Sequence, residues 1–161
     1  MLRKADCPVI TVGPHVRELT VEQQKTSPTV FATDFNAASS QVIRYAIFLC
    51  EQIGAPLHCL DVLPQSMAET GKGKIVPLIL TEALQHMVNE CGPFFENHPV
   101  YALTYGNEIP DAIVNYGKQQ NAGLIILGAK RSSAIASHLP AHIVYGVISQ
   151  SECPVMTLSF E

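Results

Sequence analysis

From residue 28 onward, short β-branched apolar runs alternate with longer stretches whose apolar residues recur at helical spacing. This alternation constrains the fold more than any other feature. Parallel strands cannot be joined by tight turns and need a crossover, usually a helix, between each pair. Such crossovers are right-handed and cover both faces of the sheet, so the strands read as nearly continuous apolar runs. The class is α/β.

The reading in detail gives five strands and four helices. Residues 29–33 form the first strand, and Asn36 caps a helix with Val42, Ile43, Ala46, Leu49, Cys50 and Ile53 on one face. Gly54 ends that helix and Pro56 prevents its continuation. Residues 57–63 are the second strand. Residues 64–77, with Gly71-Lys72-Gly73-Lys74, read as a long polar connection and a candidate lid. Leu78, Ala83, Leu84, Met87, Val88 and Cys91 make the second helix, broken by Gly92-Pro93 before a strand at 100–105. Asn107, Glu108 and Pro110 open a third helix bearing Ile113, Val114 and Tyr116, followed by a central strand at 123–127. Leu139, Ile143, Val144, Val147 and Ile148 give the last helix. Residues 153–158 give the last strand, with Pro154 tolerated at its start.

Residues 1–27 stand outside this scheme: one short strand pattern, then a polar segment over 14–27. The strand has a counterpart at the other end of the chain. Asp6-Cys7-Pro8-Val9-Ile10-Thr11-Val12 and Glu152-Cys153-Pro154-Val155-Met156-Thr157-Leu158 share four identical and three conservative positions, at an offset of 146 residues. That offset is about one domain length. Residues 1–27 therefore read as the last strand of a preceding domain plus a linker, and 28–161 as the α/β domain.

Composition removes several function classes. With 10 basic against 14 acidic residues and no basic cluster, the chain lacks the positive stripe that a nucleic-acid or anionic-membrane surface needs. Its apolar runs are far shorter than the roughly 20 residues of a membrane span. The basic start Arg3-Lys4 is followed by Asp6 and Pro8 rather than an apolar stretch, so a cytoplasmic location is expected. Five cysteines without Cys-x-x-Cys spacing suggest neither a disulfide framework nor a zinc site.

Thr29-Val30-Phe31-Ala32-Thr33-Asp34-Phe35, Gly54-Ala55-Pro56-Leu57, Leu60-Asp61-Val62, Leu124-Ile125-Ile126-Leu127-Gly128-Ala129 and Cys153-Pro154-Val155, in this order, resemble the universal stress protein family over residues 28–160. The resemblance implies a five-stranded parallel sheet in order 3-2-1-4-5 with helices on both faces. It also implies pairing through the fifth strand with a second domain. Segment 6–12 is then expected to lie antiparallel to the last strand, within the chain or swapped between chains, as a tandem pseudo-dimer or a homodimer.

The resemblance also implies an adenine-nucleotide site, for ATP or AMP, where the strand order reverses. It assigns adenosine contacts to Asp34 and Val62, and the expected set is Ala32, Thr33, Asp34, Val62, Gly128, Ala129, Lys130, Arg131, Ala141 and His142. Asp34 and Gly128 would terminate the two strands flanking the site. Members that bind ATP carry Gly-x2-Gly-x9-Gly-Ser/Thr after the fourth strand. Counting from Gly128, this chain has Arg131, Ala141 and His142 at the other three positions. Lys130 and Arg131 offer charge, and Ser132 and Ser133 offer donors, in place of the missing glycine turn.

Other chemistry has little support. His138 and His142 are four apart but separated by Pro140, with no third ligand by spacing. Gly73-Lys74 lacks the glycine a phosphate loop needs at Ala68 and the hydroxyl it needs at Ile75. No Gly-x-Ser-x-Gly elbow occurs, and adjacent His58 and Cys59 would point to opposite faces of a strand. A non-catalytic stress-response or regulatory module is the leading expectation. An ATP-dependent conformational switch and a slow nucleotide hydrolase are the alternatives.

Overall fold

A computed structural model describes residues 7–33, 39–69, 75–91, 99–130 and 141–160. In chain order the elements are β1 (Val9–Thr11), α1 (Val21–Thr26), β2 (Thr29–Ala32), α2 (Ser39–Ile53), β3 (Leu57–Leu63), α3 (Gln65–Glu69), α4 (Ile75–Cys91), β4 (Val100–Tyr105), α5 (Ile109–Gln119), β5 (Leu124–Lys130), α6 (Ala141–Gln150) and β6 (Val155–Phe160).

The strands form one six-stranded sheet in the order β1-β6-β5-β2-β3-β4. Every pairing is parallel except that of β1 with β6. Alternate residues of the strands sort into two cores, as the two-residue period requires. Val30, Ala32, Ile125 and Leu127 pack with Ile113 and Val114 of α5 and Ile143 and Val147 of α6. Phe31, Cys59, Ile126 and Met156 pack with Ile43 and Ile47 of α2 and Leu84 and Val88 of α4.

Several boundaries differ from the sequence reading. The polar segment over 14–27 contains α1, because Thr20 and Gln23 close a reciprocal capping box: the Gln23 N–H donates to Thr20 Oγ1 at 3.2 Å and the Thr20 N–H to Gln23 Oε1 at 2.9 Å. The polar connection over 64–77 contains α3 and the first turn of α4. β5 runs on to Lys130, so Gly128 does not terminate it; the extension holds because Gly128, Ala129 and Lys130 register against Leu158, Ser159 and Phe160. β6 starts at Val155 rather than 153, since Ser151 Oγ folds the preceding turn by donating to the Cys153 carbonyl and accepting from its N–H. Gly54, at φ +70°, closes α2 in the left-handed conformation expected of it. Asn36, residues 71–74, Gly92-Pro93 and Leu139 lie outside the described residues.

The amino-terminal segment is fastened at several points. β1 pairs with β6 through Val9↔Thr157, Ile10↔Met156 and Thr11↔Val155. Farther on, the Arg17 N–H donates to the Glu152 carbonyl at 2.9 Å, and the Arg17 Nε lies 3.2 Å from Glu152 Oε2. Lys118 Nζ meets the other carboxylate oxygen at 2.6 Å.

Candidate functional site at the carboxyl ends of the central strands

The sheet order places β2 between β3 and β5, and this is where the chain's winding reverses. After β2 the chain enters α2 on one face, and after β5 it enters α6 on the other. The two helices thus cover opposite faces, and in open sheets of this kind such a reversal opens a crevice beyond the carboxyl ends of the strands concerned, here β2 and β5.

Six of the expected residues come together there. Ala32 ends β2, registered against Leu60 of β3 and Leu127 of β5. Thr33 follows it, buried, with its N–H donating to the Leu60 carbonyl at 3.0 Å. Gly128, Ala129 and Lys130 continue β5 alongside. The Val62 N–H is taken by Asp61 Oδ1 at 2.8 Å, so its backbone offers the carbonyl. Strand carbonyls two residues apart point the same way, so the Val62 carbonyl, like that of Leu60, is directed toward the β2 side. β2 ends short of it.

Ala141 and His142 open α6, whose first turn lies at this same end because it follows β5; His142 is exposed. Asp34, Arg131, Ser132, Ser133 and His138 fall outside the described residues. Asp61 is the residue that sequence reasoning passed over. Its carboxylate is buried at the end of β3, beside the crevice, and only the break in an apolar strand at Leu60-Asp61-Val62 signals it.

The three buried cysteines among the described residues are held as thiols. Burial pushes the Cys50 thiol up to about 11 and also raises those of Cys59 and Cys153, the opposite of what a reactive thiolate needs. Among the described residues no three His, Cys, Asp or Glu side chains converge as metal ligands do. No described helix is long and apolar enough to cross a membrane.

His58, at the far end of β3 from the crevice, hydrogen-bonds through Nδ1 to the Tyr116 hydroxyl at 3.0 Å. Burial lowers its pKa and raises that of Tyr116, so both are held neutral. Because the folded-state value is depressed, the unfolded chain binds more protons below the usual histidine value of about 6.5. The stabilisation is therefore complete above that value and is lost as pH falls through it toward the depressed one. Melting temperatures measured from about pH 8 downward through the usual histidine value of about 6.5 should fall less steeply for His58→Gln than for the parent chain.

The family model described as the universal stress protein family matches residues 26–159. Among solved structures, a universal stress protein from Archaeoglobus fulgidus DSM 4304 is 20% identical, covers 98% of this chain and 51% of its own, and has a TM-score of 0.64. This chain thus spans about half the length of that protein. A universal stress protein from Archaeoglobus fulgidus in complex with dAMP is 22% identical over 81% of this chain and 96% of its own, with a TM-score of 0.62. One in complex with cAMP is 16% identical over 84% and 98%, also at 0.62. No curated protein matches the chain.

Proposed function

This chain belongs to the universal stress protein family, and from that premise we propose that it is a non-catalytic, cytoplasmic regulatory domain. In this reading it takes an adenine nucleotide in the crevice between β2 and β5 and occupies one half of a two-domain pair. The observation that carries the nucleotide reading is the reversal of winding at that crevice, with Thr33, the Val62 carbonyl and Gly128 at its edge. The two relatives described as complexes hold dAMP and cAMP, each with a single phosphate.

A single phosphate suits this chain better than three. With Arg131 and Ala141 where the ATP-binding pattern has glycines, the close backbone approach of a triphosphate cradle is lost. In this reading the charges of Lys130 and Arg131, read from the sequence, stand in for the missing glycines. AMP is thus the expected ligand, with Asp34 accepting from the adenosine moiety. Titration with AMP, followed by amide resonances, should move Thr33, Val62 and Gly128 saturably and leave the amino ends of the same strands unmoved. Uniform or absent shifts would overturn the reading.

The pairing reading rests on register. Segments 6–12 and 152–158 are sequence counterparts, and under that correspondence Ile10 matches Met156, Val9 matches Val155 and Thr11 matches Thr157. In the antiparallel ladder Ile10 lies opposite Met156, its own counterpart, while Val9 faces Thr157 and Thr11 faces Val155. The ladder is therefore symmetric about a two-fold axis between Ile10 and Met156, as two equivalent last strands would be. The Archaeoglobus protein of about double length matches 98% of this chain, whereas the relatives of single-domain length match 81% and 84%. Both facts support β1 as the last strand of a partner domain.

A further inference from the structure

Among the described residues the sheet ends in β1 on one side and in β4 on the other. An edge strand invites a further strand, and most proteins blunt their edges with short strands, lysine, proline or a bulge. β1 is blunted by its length of three residues. β4 carries none of these devices. Its six residues, Val100-Tyr101-Ala102-Leu103-Thr104-Tyr105, hold neither a charge nor a proline, and their register against His58 to Leu63 runs without a bulge. All of them are half-buried or exposed, whereas β2 is buried throughout. We propose that β4 is a self-pairing edge, on which a second copy of this chain lays its own β4, antiparallel and centred on Leu103.

The backbone selects that register. The Gly106 N–H donates to the Leu63 carbonyl at 2.9 Å, so Gly106 turns its N–H toward β3. Along a strand, successive residues turn their N–H and C=O to alternate sides. Thr104 and Ala102 therefore serve the ladder with β3, and Tyr101, Leu103 and Tyr105 turn their backbone groups outward. Among the described residues no strand lies on that side to take them. In an antiparallel ladder such outward residues pair by exchanging both N–H···O=C bonds. One two-fold arrangement satisfies all three of them: Leu103 opposes Leu103 of the second copy, and Tyr101 opposes Tyr105.

The side chains agree with it. Tyr101 packs against the core formed with α2 and α4, and by the two-residue period Leu103 and Tyr105 share its face. The register thus sets an aromatic pair on each side of a central leucine pair, and aromatic cross-strand pairs stabilise a sheet. With no charge on the strand, nothing repels an identical strand and nothing attracts a charged one. On α4, which packs on this same face, Leu78 and Ile79 are 61% and 57% exposed and add uncovered apolar surface.

This inference is independent of the nucleotide and two-domain readings, because it uses the edge opposite β1. Sedimentation equilibrium of the full chain, from micromolar to millimolar concentration, should show a reversible monomer–dimer equilibrium. Over the same range the amides of Tyr101, Leu103 and Tyr105 should exchange more slowly as concentration rises, while those of Ala102 and Thr104, already bonded to β3, keep their rates. Leu103→Lys and Leu103→Glu each place like charges opposite one another across the axis and should weaken association by at least about tenfold. A mixture of the two variants should associate again, since only a residue that faces itself turns two repulsive pairs into one attractive pair. Unchanged amide protection of Phe31 and Ile126 is the control that both variants stay folded. Three results would overturn the proposal. The first is a monomer at millimolar concentration. The second is protection of Tyr101, Leu103 and Tyr105 that is independent of concentration, which would mean that the same chain covers the edge. The third is a dimer unaffected by either Leu103 variant, which would place the contact elsewhere.

Discussion

Phe31→Ala will lower the free energy of unfolding by about 3 to 5 kcal/mol, read as a fall in the urea midpoint at an unchanged slope. Phe31 lies in β2, the strand flanked by β3 and β5, and only 1% of it is exposed. It packs in the core formed with α2 and α4, which rigid neighbours keep from collapsing into the space. Phe48 of α2 serves as the comparison, being the same residue type at 57% exposure. Phe48→Ala should change stability by no more than about 0.5 kcal/mol. Equal effects at the two positions would mean that β2 does not sit at the centre of the sheet.

Gly13→Val will detach the amino-terminal segment while the rest of the domain stays folded. The added Cβ meets a backbone carbonyl, that of Ile148, and a backbone atom cannot rotate aside as a side chain can. Overpacking of this kind costs about 1 to 3 kcal/mol, enough to release a three-residue strand. The amides of the β1–β6 ladder should then lose hydrogen-exchange protection, and trypsin should cut at Arg17, whose ion pair with Glu152 depends on the docked segment. The amides of β2, β3 and β5 should keep their protection. Full protection of β1 in the variant would contradict the close approach at Gly13.

The central strands are legible in the sequence because both faces of a parallel strand are buried, so Val30-Phe31-Ala32 and Ile125-Ile126-Leu127 carry no polar interruption. Helix α5 is legible from Glu108 and Pro110 at its start and from the apolar Ile113, Val114 and Tyr116 along it. The true ends of β5 and β6 are not, since Gly128 to Lys130 are strand only by virtue of Leu158 to Phe160 beside them. The α1 capping box was written locally in Thr20 and Gln23, but a single short turn between polar residues carries no apolar period to draw attention to it. At the site, the crevice follows from topology and Asp34 from resemblance. The bond from the Val62 N–H to Asp61 depends on a side-chain orientation that no pattern of residues encodes. The bridge from Arg17 to Glu152 joins the two ends of the chain and has no local signal at all.

In the proposed function the crevice between β2 and β5 takes adenosine monophosphate despite the glycines missing from the ATP-binding pattern. Calorimetric titration of AMP into the chain, and into Asp34→Ala, decides the matter. Saturable heat is expected in the parent chain, with a loss of affinity of at least about tenfold in the variant, the effect of removing one charged hydrogen bond. No saturable heat at millimolar AMP, or identical isotherms for the two proteins, would contradict it.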